Sequence, residues 1–143
     1  MATELDHSFS TTKSIDESFA AITDLERVVP AVEGGSVLET TGPESVKAQI
    51  ILKMGAMSMK MLGTVEVVEQ DADTHRAVLR VKAREAGGQG HANADVTFQL
   101  NDGGGTIHTK AQITGKAASM GEGAVVGFLD GMITDFSGKV GQI

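Results

Sequence analysis

Apolar and polar residues alternate one by one along most of this chain, and two stretches break the rhythm. Leu5, His7, Phe9 and Thr11 share one phase, which predicts a first strand. Ser14 followed by Glu17 makes a capping box, and Asp16 adds negative charge where helical amides lie unpaired. A short helix is therefore expected, with Phe19 and Ile22 as its buried stripe. Asp24 can cap a second short helix through Val29, which Pro30 should stop. From Ser36 the period becomes two. Val46, Ala48, Ile50 and Leu52 form one inward set, with Ile51 spoiling the alternation. Met57, Met59, Met61, Val65 and Val67 form the next, interrupted at Gly63, where a bend or bulge is expected. Ala77, Leu79, Val81 and Ala83 follow. Then come Ala92, Ala94, Val96, Phe98 and Leu100. After the turn-forming NDGGG at 101–105, Ile107, Thr109, Ala111 and Ile113 complete the series.

Five consecutive half-buried strands with short connections predict an antiparallel sheet, wet on one face. Its other face needs a cover, and the segment 118–140 can supply one. Val125, Leu129, Met132, Phe136 and Val140 recur there at helical spacing. Gly121, Gly123, Gly127 and Gly131 weaken that helix by about 1 kcal/mol each relative to alanine. Such a run suggests close packing of backbone against the sheet, or a first half that moves. The predicted fold is α+β, with a curved antiparallel sheet wrapped around a long C-terminal helix and two short helices between strands one and two. One domain spans 1–143.

Composition adds that the interior is easier to leave hollow than to fill. Hydrophobic residues make up 41% of the chain but aromatic ones only 3%, all five of them phenylalanine, so burial falls to aliphatic side chains and methionine. The net charge of -7, with no basic cluster, argues against nucleic acid. Without cysteine there is no disulfide and no thiolate chemistry. No apolar run is long enough to span a bilayer, and the opening MATELDHSFS lacks the pattern of a signal peptide. The expected location is cytoplasmic, with peripheral attachment at the cytoplasmic face of a membrane compatible with the sequence.

The stretch MGAMSMKM at 54–61 raises the question of a soft metal, since thioethers favour Cu(I). Alternate residues of one strand lie about 6.6 Å apart, too far for a compact three-sulfur site, and the tract has no histidine. Core packing or the wall of an adaptable cavity is the expected role, because methionine repacks around varied apolar shapes. His7, His75, His91 and His108 are dispersed without metal-ligand spacing. His7 reads as a core histidine and His75 as surface. His91 and His108 fall on polar phases of two strands that could be neighbours. Ser58 and Ser119 lack a base and an orienting acid, Asp95 and Glu66 read as solvated, and the GEG and GGG runs have no phosphate-binding context. No catalytic residue and no metal ligand is expected. Lys82, Arg84 and Lys110 form a candidate basic strip. The ladder Gly123, Gly127 and Gly131 is expected to face the sheet.

Several stretches carry a resemblance: FSTTKSIDESFAAITDLERVVPAVEGG at 9–35, GTVEVVE at 63–69, AGGQGHANADVTFQL at 86–100, and ITGKAASMGEGAVVGFLDGMITDF at 113–136. In order and spacing the chain resembles the polyketide cyclase and START-related (SRPBCC, Bet v 1-like) superfamily, and within it the CoxG family of carbon monoxide dehydrogenase subunits. Phe19 stands where members often carry tryptophan, and the usual proline-rich opening of the first helix is missing. The resemblance implies a helix-grip fold enclosing an apolar cavity. Taken with the periodicity, it makes Met57, Met59, Met61, Leu79, Val96, Phe98, Val125, Leu129 and Met132 the expected ligand-binding wall of a cavity above roughly 300 Å³. Gly121, Gly123 and Gly127 are the expected entrance. It also implies a non-enzymatic carrier of a quinone or lipid, an isoprenoid quinone bound non-covalently being one candidate, with a carbon monoxide dehydrogenase-type molybdenum hydroxylase as partner. The alternatives are an assembly factor or membrane tether for that enzyme, and a cyclase- or hydrolase-like enzyme on an apolar substrate.

Overall fold

Seven antiparallel strands form one sheet in the order β1-β7-β6-β5-β4-β3-β2 in the computed structural model, which describes residues 1–116 and 118–143. The strands are β1 (Ala2–Ser10), β2 (Gly35–Gly42), β3 (Ser45–Met54), β4 (Met57–Asp71), β5 (Arg76–Glu85), β6 (Gly90–Asn101) and β7 (Gly104–Gly115). Helices α1 (Ile15–Ile22) and α2 (Leu25–Ala31) link β1 to β2, and α3 (Glu122–Val140) follows a single 3-10 turn at Ala118–Met120. This is the helix-grip arrangement, with the long helix against the sheet's apolar face. β2 is the strand that alternation misses. Its register with β3 shifts twice, between Val37 and Glu39 and between Thr40 and Gly42, and Leu38 is 56% exposed. The two shifts break its alternation, and most of the strand from Leu38 on is exposed.

Local signals explain the two short helices. Ser14 Oγ accepts from the Glu17 amide at 3.1 Å and lies 3.2 Å from the Glu17 carboxylate. The Asp24 side chain caps α2 by accepting from the Glu26 amide at 3.2 Å. Contrary to expectation, α2 runs through Pro30 to Ala31. Proline forfeits one bond there, the one an amide at 30 would give to Glu26 O, and the Val32 amide closes the end on Val29 O at 3.1 Å.

Gly63 is not a bulge either. Ala48, Gly63 and Ala83 stay in register across three strands, and the irregularity falls between Val67 and Glu69, where Val68 is 41% exposed. A Cβ at Gly63 would sit 1.9 Å from Lys82 O, so glycine serves the close approach of β5.

Apolar packing divides along the length of the grip. The larger cluster holds Phe9, Phe19, Phe98 and Phe136 together with Ile22, Ile107, Ile133 and Val140. The smaller consists of Met59, Met61, Ile113 and Val125, with Ile50, Leu52 and Leu129 against it. The C-terminal end of α3 is fastened to β1's end: Thr11 Oγ1 donates to Gly141 O at 2.6 Å, and Lys13 Nζ donates to the Ile143 carbonyl oxygen. Its N-terminal end has no side-chain cap, and Gly121 there adopts φ 96°, ψ 150°.

Candidate ligand cavity

Between the sheet and α3 lies an almost wholly apolar cavity of about 200 Å³, lined by the helix from Val125 to Phe136. Its walls follow from which residues the strands turn inward. Ala83 pairs with Ala92, and Ala94 with Ala111, so three neighbouring strands present methyl groups where larger side chains would fill the space. One step along, Phe98 meets Phe136 edge-on with ring centroids 6.2 Å apart, and these two rings bound the cavity on that side. Four of the five phenylalanines thus gather towards one end, and alanine and methionine line the other.

Met59, Met61, Leu79, Val96, Phe98, Val125, Leu129 and Met132 all lie on the wall. Met57 does not; it packs against the outer side of the methionine cluster. The volume falls short of the roughly 300 Å³ expected. Val28 and Val29 of α2 and Phe128 and Ile133 of α3 also reach the cavity, and alternation along the strands gave no account of them. The polar wall residues Glu85, His91, Asn93 and Thr114 mark a rim beside the turn between β5 and β6. Thr109 is the exception, a buried wall residue whose hydroxyl has no hydrogen-bond partner.

None of Gly121, Gly123 and Gly127 lines the cavity. The ladder Gly123, Gly127 and Gly131 faces solvent rather than the sheet, and a Cβ on any of the three would meet nothing within 4 Å. Ile133, one residue after Met132, takes the core position, and Met132 is only half-buried. The helix therefore sits rotated slightly from the stripe its sequence suggests.

Three of the four histidines are met by carboxylates. His7 Nε2 lies 2.8 Å from Asp130 Oδ1, joining β1 to α3, while its buried Nδ1 has no partner. His75 is not plain surface: its ring meets Phe19 edge-on at 5.7 Å and Asp16 Oδ1 at 3.0 Å. His91 and His108 do lie on neighbouring strands, β6 and β7, but not opposite each other: His91 faces Thr114 and His108 faces Thr97. His108 instead lies 2.5 Å from Asp6 Oδ1 and 3.2 Å from Glu4 Oε1, and the hydrogen bond to Asp6, then that to Glu4, raises its pKa. The basic strip is interrupted. Arg80 donates twice to Asp95, at 2.9 and 3.3 Å, which lowers the Asp95 pKa, and Lys110 Nζ lies 3.8 Å from Glu4. Among the described residues, no three His, Cys, Asp or Glu side chains are grouped to hold a metal. No described helix is long and apolar enough to cross a membrane.

Comparison with solved structures shows the same fold. A conserved protein from Geobacillus kaustophilus aligns with a TM-score of 0.80 at 21% identity, covering 99% of this chain and 93% of its own. A START superfamily protein from Mycobacterium smegmatis gives 0.66 at 10% identity, covering 99% and 97%. The ZhuI aromatase/cyclase from a Streptomyces species gives 0.56 at 12%, covering 96% and 87%. No curated protein matches the sequence. The family profile of CoxG, the carbon monoxide dehydrogenase subunit of that name, matches residues 8–142. With nearly the whole chain matched and an apolar cavity between sheet and long helix, the protein belongs to the CoxG family of carbon monoxide dehydrogenase subunits.

Proposed function

We propose that the protein carries an apolar molecule, a respiratory quinone or a lipid, on behalf of a carbon monoxide dehydrogenase-type enzyme. The observation that carries this reading is the cavity: apolar, partly enclosed, and hollow because alanines face alanines beneath a weakly anchored half-helix. Methionine walls suit a guest of no fixed shape, since thioether side chains repack at little cost. At about 200 Å³ the space is smaller than the roughly 300–1,000 Å³ of sites that enclose drug-sized ligands. A long-tailed guest therefore leaves part of its tail outside or dilates the walls. An isoprenoid quinone, held non-covalently, meets both conditions and would connect a redox partner to a membrane. The protein would work at the cytoplasmic face, in peripheral contact with the bilayer.

Met57, Met59, Met61, Leu79, Val96, Phe98, Val125, Leu129 and Met132 remain the proposed contacts, Met57 only after the walls dilate. The unwinding of α3 near Gly121 to Gly127 remains the proposed gate. Native mass spectrometry of the purified protein, before and after organic extraction, tests the reading. A retained mass released by solvent and identified as a quinone or lipid is the expected result. Protein that takes up neither from vesicles, yet still binds the enzyme, would leave an assembly or tethering role instead.

A further inference from the structure

Thr109 is 4% exposed, and its hydroxyl oxygen is sealed from solvent without a hydrogen-bond partner. It lies on the cavity wall, opposite Val96 on β6 and Leu5 on β1. Two positions before it, Ile107 belongs to the aromatic-rich core; four positions after it, Ile113 belongs to the methionine cluster. Thr109 therefore lies on the wall between Ile107 and Ala111, one row short of the aromatic end that Phe98 and Phe136 line.

Packing alone does not account for a threonine there. Valine has nearly the same shape and would leave no buried polar group to desolvate. A lone hydroxyl holds a water poorly, because a buried water needs two to four polar partners. Resting on the carrier reading above, we infer that Thr109 recognises the guest: its hydroxyl donates a hydrogen bond to a carbonyl oxygen, and the guest enters polar end first with its apolar remainder along the methionine wall. A χ1 rotation of about 120° brings the hydroxyl to the place the methyl held, with the methyl moving to that of the Cβ hydrogen, so a bound acceptor can turn the hydroxyl into the cavity.

The chemistry of the wall narrows the guest's polar end. Charge is unsuited, because an ionised group has no partner at that depth. The wall's one carboxylate, Glu85, lies about 20 Å further along β5 than Leu79, which shares Thr109's cross-strand row. A guest hydroxyl would bring a second donor to a site with a single oxygen. A carbonyl brings acceptors alone and satisfies the donor that is unpaired. The inferred class is a neutral ketone or quinone on an apolar frame.

Menadione and 2-methylnaphthalene share a ring frame and differ by the carbonyls. Binding of each to wild type and to T109V, by fluorescence competition, gives four affinities. The preference for menadione over the hydrocarbon should be larger in wild type than in T109V by about tenfold, the net value of one hydrogen bond. In infrared spectra the bound menadione carbonyl band should shift downward in wild type and T109S, and return in T109V. T109V should melt no lower than wild type, because it removes an orphan hydroxyl and keeps the volume. Equal preference in both proteins, with both guests bound, would overturn the role of Thr109 and leave the carrier reading standing. An unshifted carbonyl band in the wild-type complex would overturn it too, whether or not T109V folds. If wild type binds neither compound, the carrier reading and this inference fall together.

Discussion

His7 on β1 and Asp130 on α3 meet at 2.8 Å, the one hydrogen bond between side chains that ties the long helix to the sheet among the described residues. The other fastenings, from Thr11 and Lys13, lie beyond the helix's C-terminal end. The N-terminal half of α3 thus depends on apolar contacts and this single polar link. In D130A we expect a loss of about 1 kcal/mol or less, since Asp130 is half-exposed. Hydrogen exchange should quicken in the N-terminal half of α3 and stay unchanged at Phe136 to Val140. Uniform quickening along the helix would show that the link does not hold that half in particular.

Glycines of the same helix should respond oppositely to alanine. Gly123 and Gly127 face open space, so G123A and G127A should each stabilise the helix by about 1 kcal/mol. G121A should destabilise, because φ 96° is a backbone conformation that residues with a Cβ rarely adopt. Melting temperatures of the three variants check the signs. If the gate lies here, release of a labelled quinone analogue from the G123A/G127A protein will be slower. An unchanged rate in the stably folded double variant would remove the gate.

Filling the hollow should separate stability from binding. Ala94 faces Ala111 beneath the cavity, and A94L places apolar atoms into vacant space. We expect a gain of roughly 1–2 kcal/mol from the added buried methylenes, with uptake of menadione lost. A destabilised variant would mean that the walls do not accept extra volume at Ala94; a stable variant that still binds menadione would place the guest elsewhere.

His108 gives a pH dependence with a defined sign. The hydrogen bonds to Asp6 and Glu4 raise its pKa above the ordinary 6.5. A raised folded-state value stabilises the fold fully below 6.5 and loses that contribution as pH rises through the folded value. Wild type should therefore lose stability over that interval, and H108N should lose less. Denaturant midpoints across the pH range decide it; parallel curves for the two proteins would remove His108 as the cause.

The sequence made legible those features that rest on local physics. Ser14 and Asp24 announced their helices because a cap acts within a few residues, and β3 to β7 were readable because a face buried on one side enforces period two. β2 was not, because its two register shifts interrupt the period and leave Leu38 turned outward. The helix stripe was readable to within one residue, but the choice of Ile133 over Met132 depends on what the sheet presents opposite. Apolar phases of the strands and of α3 marked wall positions other than Met57, and the size was not legible, since Val28 and Val29 arrive from a helix whose docking no local pattern encodes. Thr109 carried one available signal, a polar residue on the inward phase of β7 between Ile107 and Ala111.

Pairing of β1 with β7 has a consequence for the chain as it is made. The Met1 amine ends 3.0 Å from Ile113 O, across a separation of 112 positions. At about 5–20 residues per second, roughly ten seconds pass between synthesis of the first strand and synthesis of its partner. Throughout that interval β1 offers an unpaired edge with alternating apolar side chains, the usual template for wrong association. Glu4 and Asp6 interrupt it on the outward phase, and both later receive His108. The same two carboxylates would thus keep the nascent strand apart from other chains first, and seat it in the sheet afterwards.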